Sequence, residues 1–402
     1  MSLWLQKINS VFSTDELVEL TQELIRRPSH WEIPEREKDV LEYICSFLER
    51  HNIPYEKQPV KENLYNIIVT IKGEGNGKRL LLNGHVDTVP PYEMDFNPFS
   101  GEIIDGHILG RGAVDMKGPV AAMLMTMLVL NRLPLKLKGD VTFTAVIGEE
   151  GCSEGTEKLV LSGIEADGAI VGEPSNFDYA VAHRGLEWFE IEFFGRRAHS
   201  GDMERGINAI NMACRLVTAL EDRLLPKLKE RFHPLMGPSM LNIGKIEGGT
   251  QPSTVAEYCK IQLDRRYINT EKIEDVTREI EEIITELKQA VPGLDIRLIL
   301  MECGKMEHLN HVPMITDENE SIVQTVINNV KLVTKRNPAC TTRRGWTDAG
   351  LLNFYRNIPT IICGCGDISF SHSKNEQISI EQLIQAVQIY TLTAIDFCNQ
   401  NR

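Results

Sequence analysis

Five short stretches combine residues whose types and spacing can do chemistry. In Leu81-Leu82-Asn83-Gly84-His85-Val86-Asp87-Thr88 an apolar run ends in a histidine and an aspartate two positions apart. On a strand, such positions face the same side. A metal-binding imidazole needs its second nitrogen held by an acceptor, usually a carboxylate, and Asp87 is spaced to hold His85. Taken alone, the pair is also an ordinary polar strand end. Gly110-Arg111-Gly112-Ala113-Val114-Asp115-Met116-Lys117-Gly118 sets Asp115 in a glycine-rich loop that permits close approach. An acid there is either a ligand or a partner for the helix N-terminus that follows. Gly148-Glu149-Glu150-Gly151 holds two adjacent carboxylates that repel each other, and a nearby dication relieves that repulsion. Neighbouring side chains point apart, so one of the two can bind metal while the other faces a water. Gly172-Glu173-Pro174-Ser175 adds one more carboxylate, and Phe370-Ser371-His372-Ser373 places a histidine in a loop.

The elements that must position these residues follow from apolar periodicity. Residues 14–25 and 34–51 have helical spacing, while 66–71, 79–84, 140–147 and 169–171 read as strands. The apolar stretch Val120 to Leu130 reads as a buried helix opened by Gly118-Pro119, too short for a bilayer, which needs about 20 residues. Alternating strands and helices indicate an α/β layer with a largely parallel sheet. Ligands in such sheets bind at the carboxyl ends of the strands, where most of the acids and His85 lie. From Ala182 the rhythm changes to strand 186–194, helix 206–221, strands 239–247 and 257–266, helix 271–290 and strand 295–302. That is the β-α-β-β-α-β order of a two-layer domain. Helix 317–334, strand 360–363 and helix 380–397 then restore the α/β pattern. The expected organisation is a first catalytic part over 1–181, an inserted domain over 182–305 and a second catalytic part over 306–402.

Composition bounds the partners. A formal net charge of −14 argues against nucleic acid and anionic membrane surfaces. Nine scattered cysteines read as reduced thiols, and with Trp4-Leu5 followed at once by polar residues a cytoplasmic location is expected. Two histidines with three carboxylates form a mixed nitrogen and oxygen set suited to zinc, or to cobalt or manganese. With one ligand bridging, such a set holds two metals about 3.5–4 Å apart.

With these motifs the chain resembles the acetylornithine deacetylase, succinyl-diaminopimelate desuccinylase, aminoacylase and carboxypeptidase G group of di-zinc hydrolases. The likeness runs over nearly the whole chain, including Gly195-Arg196-Arg197-Ala198-His199-Ser200-Gly201 and Gly206-Ile207-Asn208-Ala209-Ile210 of the insert. It implies a zinc-exopeptidase-like α/β catalytic domain with an inserted ferredoxin-like lid and dimerisation domain. By the same resemblance His85 and Glu173 bind one Zn2+, Glu150 and His372 bind the other, and Asp115 bridges them. Asp87 steadies His85, and Glu149 is general base and acid. His199 meets the substrate carbonyl as it becomes an oxyanion, from the partner subunit of a homodimer. Arg266 meets a substrate carboxylate, and the loop Gly364-Cys365-Gly366 lines the same pocket. The peptide after Asp115 is expected to be cis. The chain departs from the group at Ser253, where members often carry Asn, and at Cys365, often Pro; both positions bear on the substrate.

The implied activity is removal of an acyl group from a small N-acyl amino acid. A di- or tripeptidase, or a carboxypeptidase on short peptides, uses the same site. A reading from another class, a non-catalytic metal-dependent binding protein, runs against the intact Glu149.

Overall fold

Unbroken apolar runs make the central strands. Leu80–His85, Gly168–Pro174 and Thr360–Gly364 are buried at every position, as strands covered on both faces must be. A computed structural model of the protein describes residues 2–402. It sets these strands in a six-stranded sheet, in the order Tyr55–Lys61, Leu64–Ile71, Val141–Val146, Leu80–His85, Gly168–Pro174, Thr360–Gly364. The last four run parallel, and Leu64–Ile71 pairs antiparallel with Val141–Val146. All four parallel strands therefore end on the same side of the sheet.

Tyr55–Lys61, absent from the periodicity reading, is the edge strand, and its pattern is mostly polar and exposed. Lys57, Pro59 and Lys61 blunt the free edge against further pairing. Helix Thr14–Ile25 starts at a capping box in which the Glu16 amide donates to Ser13 Oγ at 3.1 Å and the Ser13 amide donates to Glu16 Oε2 at 3.0 Å. The next helix begins at Lys38 rather than near residue 34, because Arg36 takes a left-handed φ of 47°. Helices Glu154–Leu161 and Ala349–Arg356 are also additions to the sequence reading; each is only eight residues long.

Helix Gly118–Arg132 is buried along almost its whole length and packs on helix Ile380–Cys398. Together with the tight turn before it, the helical run Ala113–Arg132 is 20 residues long and apolar enough to cross a bilayer. The expectation that this stretch is too short is corrected on that point: the turn at Ala113–Lys117 lengthens it. Since residues 113–130 are buried inside the protein, the run serves as the core helix of the α/β unit.

The chain divides into two compact units. One runs up to Val181 and resumes over Ile315–Thr341 and Thr347–Arg402; it holds the six-stranded sheet. The other spans Ala182–Met314 and Thr342–Trp346. It extends past residue 305 because Leu186 pairs with His311, His183 pairs with Arg343, and Trp346 Nε1 donates to the Val312 carbonyl at 3.0 Å. Its sheet has the order Met240–Gly248, Tyr258–Tyr267, Gly185–Phe194, Asp295–Leu300, antiparallel throughout. Counted along the chain from the Asp295–Leu300 edge this is 4-1-3-2, the ferredoxin-like order. Helices Ala209–Ala219 and Ile273–Ala290 bury Leu216 and Ile280 against Phe189, Ile191, Phe193 and Ile261.

Candidate metal centre

The strand ends of the α/β unit bring five of the singled-out residues into two groups. His85, Asp115 and Glu173 form one, and Asp115, Glu150 and His372 the other, with ligand atoms in each group within 4.8 Å of one another. His85 closes strand Leu80–His85, and Glu173 lies within Gly168–Pro174, next to the edge strand Thr360–Gly364. Asp115 sits in the turn before the core helix, where the Asp115–Met116 peptide is cis. Glu149 and Glu150 follow strand Val141–Val146. His372 comes from an exposed loop, at a left-handed φ of 59°.

Asp115 is shared in a particular way. Its Oδ1 lies 3.4 Å from His85 Nε2, and its Oδ2 lies 3.4 Å from His372 Nε2. On the first side Glu173 Oε1 is 3.5 Å from His85 Nε2; on the second Glu150 Oε1 is 2.9 Å from His372 Nε2. Glu149 Oε2 stands 3.9 Å from His85 Nε2 and belongs to neither group.

Asp87 holds this arrangement from behind. Its carboxylate accepts the Glu149 amide at 3.1 Å and the Glu150 amide at 2.9 Å, and it lies 3.4 Å from His85 Nδ1. His85 Nδ1 is also 3.0 Å from the Asp87 carbonyl. The outward nitrogen of His85 is therefore fixed by the residue two positions on, and the paired glutamates are hung from the same carboxylate.

Electrostatics follow from crowding. Burial opposes charge on His85, but Asp115, Asp87 and Glu173 outweigh it and raise the imidazole well above its usual range. His372, likewise opposed by burial, is raised to about 10 by Asp115 and Glu150. Burial pushes Glu150 up to about 7, with Asp115 adding to the rise. Burial and Glu173 raise Glu149 well above the carboxylate range. Asp115 goes the other way: burial opposes the shift, and the two imidazoles pull it down.

The two imidazoles and three carboxylates fit divalent cations in number, type and charge. One aspartate presents a separate oxygen to each side, and the remaining ligands divide two and two.

The other sequence-predicted residues are placed as follows. Gly364, Cys365 and Gly366 are buried at the end of the sixth strand. The Gly364 amide donates to Ser175 Oγ at 3.1 Å, and the Gly366 amide donates to Gln382 Oε1 at 2.6 Å. An added Cβ at Gly364 would lie 2.1 Å from the Gly172 carbonyl oxygen, so this glycine lets the strand carrying Glu173 come close. In the second unit, His199 is exposed, and its Nδ1 accepts the Gly201 amide at 3.0 Å. Its Nε2 then carries the proton. The His199 and Ser253 segments are neighbours, since the Ser200 amide donates to the Ser253 carbonyl at 3.1 Å and His199 pairs with Thr254. Arg266 is held bidentately by Asp264, at 2.7 and 2.9 Å.

Several charged groups around the centre were not singled out from the sequence. Burial raises Glu37 to about 7, and the Asp87 charge adds to it. Burial alone accounts for most of the rise of Asp348 to about 7; its Oδ2 accepts Thr156 Oγ1 at 2.6 Å. Glu376 is wholly buried and accepts the Asp115 amide. Thr347-Asp348 at a helix start reads as ordinary capping chemistry, and Glu376 lies in a polar run, so neither gave a distinct signal.

A family model described as Peptidase family M20/M25/M40 matches residues 81–396. The chain is 28% identical to an N-formyl-4-amino-5-aminomethyl-2-methylpyrimidine deformylase from Halalkalibacterium halodurans, over 95% of this chain and 93% of that one. It is 28% identical to an acetylornithine deacetylase from Photorhabdus laumondii subsp. laumondii, over 96% of this chain and 98% of that one. Among solved structures, a tripeptidase from Staphylococcus aureus superposes with a TM-score of 0.78 at 20% identity, covering 97% of this chain and 99% of that one. The last likeness concerns the fold.

The raised imidazoles set the sign of a pH effect. In the metal-free protein at about pH 7 His372 is protonated, whereas a metal ligand must be the neutral imidazole. Metal binding is therefore expected to release protons and to tighten as pH rises from about 6 to about 8. Calorimetric titration of metal-free protein with Zn2+, in buffers of different ionisation enthalpy, measures the release. Binding with no proton release, or affinity that falls over this range, contradicts the assignment.

Proposed function

The chain belongs to peptidase family M20/M25/M40, whose members are hydrolases of amide bonds, and from that premise we propose that it is a two-metal deacylase. Its substrate is a small N-acyl compound, an N-acyl amino acid foremost. One observation carries the two-metal reading: Asp115 turns one oxygen to each of two imidazoles, at 3.4 Å on both sides. The named activities of the two relatives, a deformylase and a deacetylase, support a short acyl group over a peptide. A di- or tripeptidase is the second reading, and it shares every feature of the centre.

His85, Glu173, Asp115, Glu150 and His372 would hold the cations. When bound, two divalent ions polarise a carbonyl and lower the pKa of water from 15.7 towards about 7. Glu149 is the proton carrier. It stands beside the ligands without being one of them, and its pKa is raised by burial and by Glu173, which suits a group that must take a proton and give it back. It takes a proton from water as the amide carbon is attacked, then delivers it to the leaving amine. Asp87 keeps Glu149 and Glu150 in their separate roles by accepting both backbone amides. His199, with its proton on Nε2, is a donor for the oxyanion that develops on the carbonyl. Asp264 fixes the Nε and Nη2 edge of Arg266, leaving Nη1 to meet a substrate carboxylate. Ser253 and the backbone of Gly364, Cys365 and Gly366 complete the substrate side of this proposal.

Two variants separate the adjacent glutamates. Glu149→Gln keeps its metal and loses at least about 100-fold in kcat, the ordinary scale of acid–base catalysis. Glu150→Gln loses metal affinity. Metal analysis with a turnover screen of N-formyl, N-acetyl and N-succinyl amino acids beside dipeptides reads both the roles and the substrate. Exchange of the two phenotypes reverses the assignment, and turnover of dipeptides alone favours the peptidase reading.

We also propose a homodimer through the second unit in which His199 serves the partner's centre. Mixing Glu149→Gln with His199→Ala chains then creates one complete site per hybrid dimer. With random exchange of subunits, activity returns to about a quarter of wild type by two-fold symmetry. Proven exchange without any return of activity rules out the arrangement in trans.

A further inference from the structure

A buried ion pair lies just behind the centre, and the catalytic scheme above makes no use of it. Glu376 and Arg111 are 0% and 1% exposed, and Arg111 Nη1 donates to Glu376 Oε2. Burying such a pair carries a large desolvation cost, and a well-packed apolar replacement is often as stable. Its atoms therefore call for a use other than stability, and their remaining bonds show one.

Glu376 Oε1 accepts the Val114 amide at 3.0 Å and the Asp115 amide at 3.1 Å. The Glu376 carbonyl accepts the Gly110 amide at 3.1 Å. Arg111 donates through Nε to the Pro90 carbonyl and through Nη2 to the Pro91 carbonyl, both at 3.2 Å. Three segments thus meet at one carboxylate–guanidinium pair. Pro90 and Pro91 follow His85 and Asp87, residues 110–115 carry Asp115, and Glu376 lies four positions after His372. Between Arg111 and Asp115, Gly112 takes a φ of 82°, and a Cβ there would lie 2.6 Å from Thr88 Cγ2. The Asp115 turn is thereby seated against the segment that follows Asp87.

We propose that Glu376 and Arg111 are positioning residues that hold the Asp115 carboxylate across the span between the two metal positions and fix the His372 segment to it. The inference rests on the two-metal reading. Neither residue is a member of the two candidate ligand groups. Outer partners of this kind, when removed, typically weaken metal binding by about 10- to 100-fold.

The test compares wild type, Glu376→Gln, Arg111→Lys and a control, Glu271→Gln. Glu271 pairs with the buried Arg265 in the second unit, remote in sequence from every proposed ligand. Each metal-free protein is melted, then titrated with Zn2+ against a chromophoric chelator and with Co2+ while the visible absorption of the cobalt is recorded. We expect Glu376→Gln and Arg111→Lys to bind at least one ion about 10- to 100-fold more weakly. Their cobalt spectra change, and kcat falls more than KM rises. Glu271→Gln lowers Tm and leaves metal affinity and spectrum unchanged. Wild type binding two ions, with Glu376→Gln and Arg111→Lys binding as tightly or losing no more affinity than the control, overturns the positioning role alone. Wild type that binds fewer than two ions overturns the two-metal reading and the clamp with it. Should Glu376→Gln fail to fold, Arg111→Lys and Glu376→Asp decide between the same outcomes.

Discussion

Asp87, Asp115, Glu149, Glu150 and Glu173 crowd around two imidazoles in a largely buried volume. Like charges 4 Å apart repel by about 4 kcal/mol at the effective dielectric near a protein surface. Even with both imidazoles protonated, the ionised cluster keeps three negative charges in excess; with neutral imidazoles and two dications, one remains. Burial and neighbouring acids accordingly raise Glu149 and Glu150, and the surrounding carboxylates raise His85 and His372. Two dications would lower the cost and leave the imidazoles free as ligands. Each feature of the α/β unit that bears on the centre serves to hold acids where they repel.

The parallel sheet does most of that holding. Four strands ending on one side deliver His85, the Glu149-Glu150 turn, Glu173 and the Gly364 loop to one edge. The core helix presents Asp115 at its start. The fine placement comes from carboxylates that are not ligands. Asp87 accepts two backbone amides of the paired glutamates, and Glu376 accepts two around Asp115. Amides that point at carboxylates fix direction without adding flexible side chains, so the ligand carboxylates are aimed by backbone.

Legibility in the sequence followed the same division. Residues fixed by local pattern were readable: His85, Glu149, Glu150 and Glu173 all close apolar runs, and the β-α-β-β-α-β order of the second unit stood in its periodicity. The pairing of ligands into two groups came through family resemblance, because the distance between Asp115 and His372 is a tertiary fact. Residues whose meaning depends on burial were missed. Glu376 in Lys374-Asn375-Glu376 looks like surface chain, and only the fold removes it from water. The edge strand Tyr55–Lys61 escaped because edges are polar by necessity. The far boundary of the second unit moved to Met314 through pairings, such as Leu186 with His311, that no local pattern announces.

The central claim is that one carboxylate spans two cations, and anomalous diffraction from crystals of the Zn2+-loaded protein, recorded across the zinc edge, tests it most directly. The account predicts two peaks about 3.5–4 Å apart, one beside His85 and Glu173, the other beside Glu150 and His372, with an Asp115 oxygen on each. A single peak, or two that do not share Asp115, contradicts it.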